Sequence, residues 1–107
     1  IRIVVKSGQK VYVIPVEEVI FIEAQDDYVM VYTLTGKHLK QATMKHYDQH
    51  LDPGKFIRIH RSYIINIDYI TGINLFEKES YRVELKNGHH LRTSKSGYKL
   101  LKSVLGI

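Results

Sequence analysis

Short apolar runs separated by turn-forming residues dominate the chain. Residues 3–5 and 11–14 are apolar and flank Ser7-Gly8-Gln9, which predicts a first hairpin. Pro15 has no N–H to donate, so it is expected to interrupt pairing there. Residues 16–24 and 28–34 read as the next strands, with Asp26-Asp27 turning between them. Within 28–34 both faces are largely apolar. Val29 and Val31 share one face and Met30, Tyr32 and Leu34 the other, so cover on both sides is expected. Thr35-Gly36 then turns into a strand over about 37–41.

The period changes over residues 43–51. Met44, Tyr47 and Leu51 recur at helical spacing, and Thr43 is a suitable N-cap. Asp52-Pro53-Gly54 ends that helix. Strands return over 56–66 and about 69–76. Tyr81, Val83 and Leu85 then alternate with Arg82, Glu84 and Lys86, which predicts a strand with one wet face. Asn87-Gly88 predicts a hairpin, since both residues tolerate the positive φ of a type I′ turn, and 89–93 is its return strand. Residues 94–105 read as a closing helix with Leu101, Val104 and Leu105 on its buried side. The chain has no repeat, low-complexity segment or linker, so residues 1–107 are expected to form one domain. Regularly spaced short strands with few helical segments predict an all-β sandwich or a set of small stacked sheets.

Composition narrows the class. A chain of 107 residues with 44% hydrophobic and 25% charged content suits one globular domain with a modest core. It contains no cysteine, which excludes disulfides and thiolate metal sites and fits a reducing cytoplasm. The apolar runs are too short to span a bilayer, so no membrane contact is expected. The sequence begins at Ile1 without Met, so a fragment of a longer protein is expected. The net charge of +5 is unevenly placed: residues 1–54 hold 6 Lys/Arg against 7 Asp/Glu, and residues 55–107 hold 10 against 4. A basic balance confined to one half points to a polyanion partner or to a lysine-rich exterior kept for solubility.

The segment FIRIHRSYIIN, residues 56–66, decides between those two. Alternation on a strand puts Ile57, Ile59 and Arg61 on one face and Arg58, His60 and Ser62 on the other. Two guanidinium forks, an imidazole and a hydroxyl thus lie close together, and no carboxylate occurs between Asp52 and Asp68 to neutralise them. Such donors suit phosphate oxygens, and a planar fork also reads a guanine edge. The alternative is a structural ion-pair cluster with Asp or Glu from elsewhere in the chain; if the cluster does face an anion, Arg58 either joins it or braces the loop. Lys95, Lys99 and Lys102 form a second cationic group on one helical stripe. Lys95 near a helix N-terminus opposes the macrodipole, which is easier to understand if phosphate sits there; a solvated face is the alternative. Tyr28, opening a strand after the Asp26-Asp27 turn, reads by itself as a packing tyrosine with a wet hydroxyl, and Lys45 is a phosphate candidate or a plain surface lysine. His46 and His50 have the i, i+4 spacing of a zinc chelate, but no sequence pattern supplies a third ligand. Neither a metal nor a cofactor is therefore expected. The chain lacks a phosphate-cradling glycine loop, a nucleophile elbow and a Cys–His pair, so catalysis is not expected.

FIRIHRSYIIN resembles the central motif of LytTR-type DNA-binding domains. The resemblance extends in order through VIFIEAQDDYVMVY (19–32), the short helix over 43–51 and the last hairpin from Asn87-Gly88 to Lys95, covering about residues 11–105. It implies a mainly β, elongated fold of layered antiparallel sheets with one or two short helices. It also implies sequence-specific binding of double-stranded promoter DNA, as the output domain of a two-component transcription regulator with a receiver domain upstream and two copies on repeated half-sites. His60, Arg61 and Lys95 then correspond to base-reading positions, Tyr28 to a loop reaching a second groove, and Ser62 to a backbone contact. Lys45, Lys99 and Arg58 are further phosphate candidates. The rival class is a protein- or RNA-binding β module with a basic face.

Overall fold

The computed structural model describes residues 1–77 and 80–107. The chain opens with a hairpin of β1 (Arg2–Ser7) and β2 (Lys10–Pro15). Pro15 does not interrupt this pairing but ends it, standing opposite Arg2. A terminal strand position requires no donor from proline. The strand expected from residue 16 starts later: Val16–Glu18 form a 3-10 turn, closed by the Val19 N–H on the Val16 carbonyl. Next come β3 (Val19–Gln25), β4 (Tyr28–Thr33), β5 (Gly36–Lys40) and helix α1 (Met44–His50). Thr43 caps α1 by accepting from the His46 N–H at 3.0 Å. The chain continues through β6 (Phe56–His60), β7 (Tyr63–Asn66), β8 (Ile70–Glu77), β9 (Ser80–Leu85), β10 (His90–Arg92) and α2 (Lys95–Leu105).

A five-stranded antiparallel sheet in the order β5-β4-β3-β7-β6 forms the middle layer, and the two other sheets, β1-β2 and β10-β9-β8, supply strands to the cores on either side. On one side Ile3, Val5 and Ile14 of the hairpin and Met44, Tyr47 and Leu51 pack on Val29, Val31 and Ile64. On the other, Val83, Leu85, Leu91 and Leu101 pack on Ile20, Phe21, Ile57, Ile59 and Ile65. Strand alternation explains the division, because successive side chains of the middle sheet enter opposite cores. The molecule is elongated, 46 × 24 × 23 Å, as the resemblance implied.

Two further expectations need correction. The second face of β4 is not fully covered: Met30 and Tyr32 are half-buried and Leu34, just past the strand, is 64% exposed. The second core is built on β3, β7 and β6, so its cover thins toward β4 and β5. The turn after β9 is not type I′, because only Gly88 takes a positive φ (88°). The Gly88 N–H returns to the Leu85 carbonyl and the Leu85 N–H bonds the His89 carbonyl, both at 2.9 Å. This is the longer loop with a left-handed glycine at its end. Asn87 instead accepts the His89 N–H on its side chain. Among the described residues, no helix is long and apolar enough to cross a membrane.

Candidate nucleic-acid interface

Antiparallel pairing brings several chain reversals to one end of the middle sheet. Gln25 stands opposite Tyr28, Glu23 opposite Tyr63, His60 opposite Tyr63, and Val29 opposite Lys40. The turns at 26–27 and 61–62 therefore share this end with the last residue of β5. Neighbouring strands lie about 4.8 Å apart, so the two turns are roughly 10 Å from each other.

Three backbone groups of the 61–62 turn are tied to neighbouring strands. The Arg58 guanidinium donates from Nη2 to the Arg61 carbonyl at 2.7 Å. The Ser62 N–H donates to Nδ1 of His60 at 3.1 Å, and the Ser62 carbonyl accepts from the Ala24 N–H at 2.9 Å. Arg61 is exposed, with its backbone held from behind. Alternation holds for the strand itself: Ile57 and Ile59 are buried, while Arg58 and His60 are half-buried on the open side. A register shift between Arg58 and His60 and the turn that follows end the alternation before Arg61. The expectation that nothing neutralises the cluster fails at Arg58, whose Nη1 lies 3.7 Å from the Asp48 carboxylate. Sequence distance concealed this partner, which reaches β6 from α1.

Helix α2 begins beside this turn because its cap residue is bonded to β6. Ser94 donates its N–H to the Ile59 carbonyl at 2.8 Å, and its hydroxyl caps the helix by accepting from the Gly97 N–H at 3.0 Å. At Gly97 the helix lies directly on β6. A Cβ there would stand 1.9 Å from the Ile59 carbonyl oxygen, so only glycine permits the approach. As a result Arg58, His60, Arg61, Ser94 and Ser96 line one open concavity, with exposed Lys95 between its two serines in the sequence.

The other candidates do not line this concavity. Lys99 and Lys102 are exposed further along α2, and Lys102 lies 5.8 Å over the ring of Tyr98, which stacks on Tyr81 at 3.7 Å. Lys45 is exposed in the first turn of α1. Tyr28 is 41% exposed and lines a separate depression with Lys6, Leu39 and Lys40. The His46 and His50 rings stack at 4.4 Å, and His50 Nδ1 lies 2.7 Å from the His46 carbonyl oxygen. No group of three or more metal-ligating side chains occurs among the described residues.

His60 has its pKa lowered, first by burial and then by the charges of Arg92 and Arg61. Arg92 was missed by the sequence reading. It is exposed on the last residue of β10, two positions before the cap of α2, and its place on the wet face of that strand was the available signal. Gly97 was missed too, since a glycine inside a helical pattern carries no mark of what it packs against.

A family model described as "LytTr DNA-binding domain" matches residues 9–106. The chain is 29% identical over 103 residues to the transcriptional regulatory protein LytR of Staphylococcus aureus (strain MW2), covering 96% of this chain and 42% of that protein. It is 26% identical over 106 residues to the sensory transduction protein LytT of Bacillus subtilis (strain 168), covering 99% and 44%. The chain thus spans less than half the length of these relatives. Among solved structures, a LytTr DNA-binding domain from Bacillus cereus superposes with a TM-score of 0.90 at 23% identity, covering 99% of this chain and 97% of that one. The likeness in fold accounts for the layered sheets, and the family match accounts for the motif on the 61–62 turn. The chain belongs to the LytTr DNA-binding domain family.

Proposed function

We propose that this chain is a single domain that binds double-stranded promoter DNA in a sequence-specific manner, as the output module of a two-component transcription regulator. The observation that carries the reading is the concavity in which the 61–62 turn meets the start of α2. Arg61, His60 and Lys95 read base edges from there, and Tyr28 approaches a neighbouring groove from the same end of the sheet. Ser62, Lys45 and Lys99 contact phosphates. Arg58 serves the site from behind, with its guanidinium between Asp48 and the Arg61 carbonyl. The names of the relatives LytR and LytT support a regulatory role. In the whole protein a receiver domain precedes this one, two copies occupy repeated half-sites, and the work is done in the cytoplasm.

The test is a salt titration on duplexes selected by this chain from a random pool, with a scrambled duplex as control. Affinity is expected to fall steeply with salt while a preference for the selected duplex persists. Arg61→Ala should cost about 1–3 kcal/mol on the selected duplex alone, whereas Lys99→Ala should weaken both duplexes alike and reduce the salt slope by about 1. Equal losses on both duplexes for Arg61→Ala would remove its reading role. Wild-type binding without preference would overturn sequence specificity.

A further inference from the structure

We infer that His60 is a specificity-determining residue that works as a neutral, donor-only imidazole, its proton fixed on Nε2 by the Ser62 backbone amide. It thereby selects a hydrogen-bond acceptor on the major-groove edge, purine N7 above all. The inference rests on the DNA-binding reading above and adds the chemical rule by which one residue discriminates.

The argument starts from a donor that cannot reverse its role. A backbone N–H only donates, so the 3.1 Å bond from Ser62 N–H to His60 Nδ1 requires a lone pair on that nitrogen. A neutral imidazole carries one proton, which must then sit on Nε2. An imidazolium would set N–H against N–H and break one of the ties that hold the turn. The surroundings oppose that charge as well. Arg61 on the turn, Arg92 on β10 and Arg58 on β6 all present cations, and the α2 start adds the Ser94 and Ser96 hydroxyls and Lys95. From β7 the Tyr63 ring lies 5.4 Å away, and across from it on β3 Glu23 accepts from Tyr32 and Gln25. The Asp48 carboxylate is engaged with Arg58. Burial, Arg92 and Arg61 act in the same direction as the amide.

A donor-only tip discriminates by simple complementarity. Guanine O6 and N7, adenine N7 and thymine O4 accept, whereas the amino groups of cytosine and adenine donate and are rejected. A neutral residue also displaces no counterion, so His60 adds preference without adding salt dependence. In this it is the opposite of Lys99.

Two measurements test the inference on the intact 107-residue chain. Two-bond ¹H–¹⁵N correlation spectra of the histidine rings, with His60 assigned by a His60→Gln variant, should show the Nε2–H tautomer at pH 7. An Nδ1–H tautomer or an imidazolium would overturn the proposal whether or not DNA binds. On a duplex selected from a random pool, 7-deazapurines are then substituted one position at a time, replacing N7 by C–H. One position should weaken wild-type binding by roughly 3- to 10-fold and leave His60→Ala unaffected, as expected for a single neutral hydrogen bond. A wild type that prefers the selected duplex yet shows no position coupled to His60 would sink the acceptor rule alone. A wild type with no preference would instead sink the sequence-specific reading beneath it.

Discussion

The turns at 26–27 and 61–62 close the same end of the same sheet and are built by opposite rules. Asp26-Asp27 is a minimal reversal between directly paired strands, with Asp26 in the left-handed region at φ 55°. Aspartate tolerates that conformation better than most residues. Arg61-Ser62 is held by a guanidinium, an imidazole and a neighbouring strand, and it carries its cation outward. The first turn is set by local conformational preference and is anionic; the second is set by contacts from β3 and β6 and is cationic. A polyanion is attracted to one and repelled by the other. Precision of placement therefore accompanies the sign of the charge that suits DNA.

The strongest way to break this contrast is to separate the braced turn from α2. Gly97→Ala forces a Cβ into the Ile59 carbonyl, where backbone on both sides resists movement. A destabilisation of about 3 kcal/mol or more is expected, or else a displaced helix with DNA affinity lost. Chemical denaturation and binding titrations separate the two outcomes. A Gly97→Ala variant of wild-type stability and affinity would show that the close approach is unimportant.

A subtler disturbance is to loosen the turn without touching its tip. Arg58→Ala removes the donor to the Arg61 carbonyl and leaves Asp48 without its cation. Discrimination between selected and scrambled duplexes should fall by roughly tenfold while the fold survives, since the charged hydrogen bond that holds the Arg61 carbonyl is lost but no cavity opens in either core. Unchanged discrimination together with a reduced salt slope would assign Arg58 to phosphate instead. The smallest effect is expected at the anionic turn. Asp27→Asn removes one charge of the same sign as DNA, roughly a Debye length from the cationic tip, and should raise affinity about two- to threefold at low salt, with the gain vanishing as salt increases. Weaker binding by this variant would indicate that Asp27 makes a favourable contact with the partner.

Much of the architecture was legible in residue order. Alternating apolar positions located the strands, and Met44, Tyr47 and Leu51 with the Thr43 cap located α1. The FIRIHRSYIIN segment marked the cationic tip. These features are local, governed by side-chain period, capping and turn preference over a few residues. The extension of β2 to Pro15 and the loop that ends at Gly88 shifted boundaries without changing the elements.

What the tertiary structure alone decided was who meets whom across the layers. Asp48 reaching Arg58, Arg92 standing near His60, Ser94 bonding the Ile59 carbonyl, and Gly97 yielding its side-chain volume to β6 all join residues remote in the chain. Asn66 is a further case: this last residue of the central motif is buried and donates to the Val19 carbonyl of β3 at 3.0 Å, a structural duty that its polarity did not reveal. A sequence fixes periodicity because neighbouring side chains must take turns between faces. Long-range partners depend instead on strand order and on which helix lies over which strand, and those are chosen by the burial of both cores together.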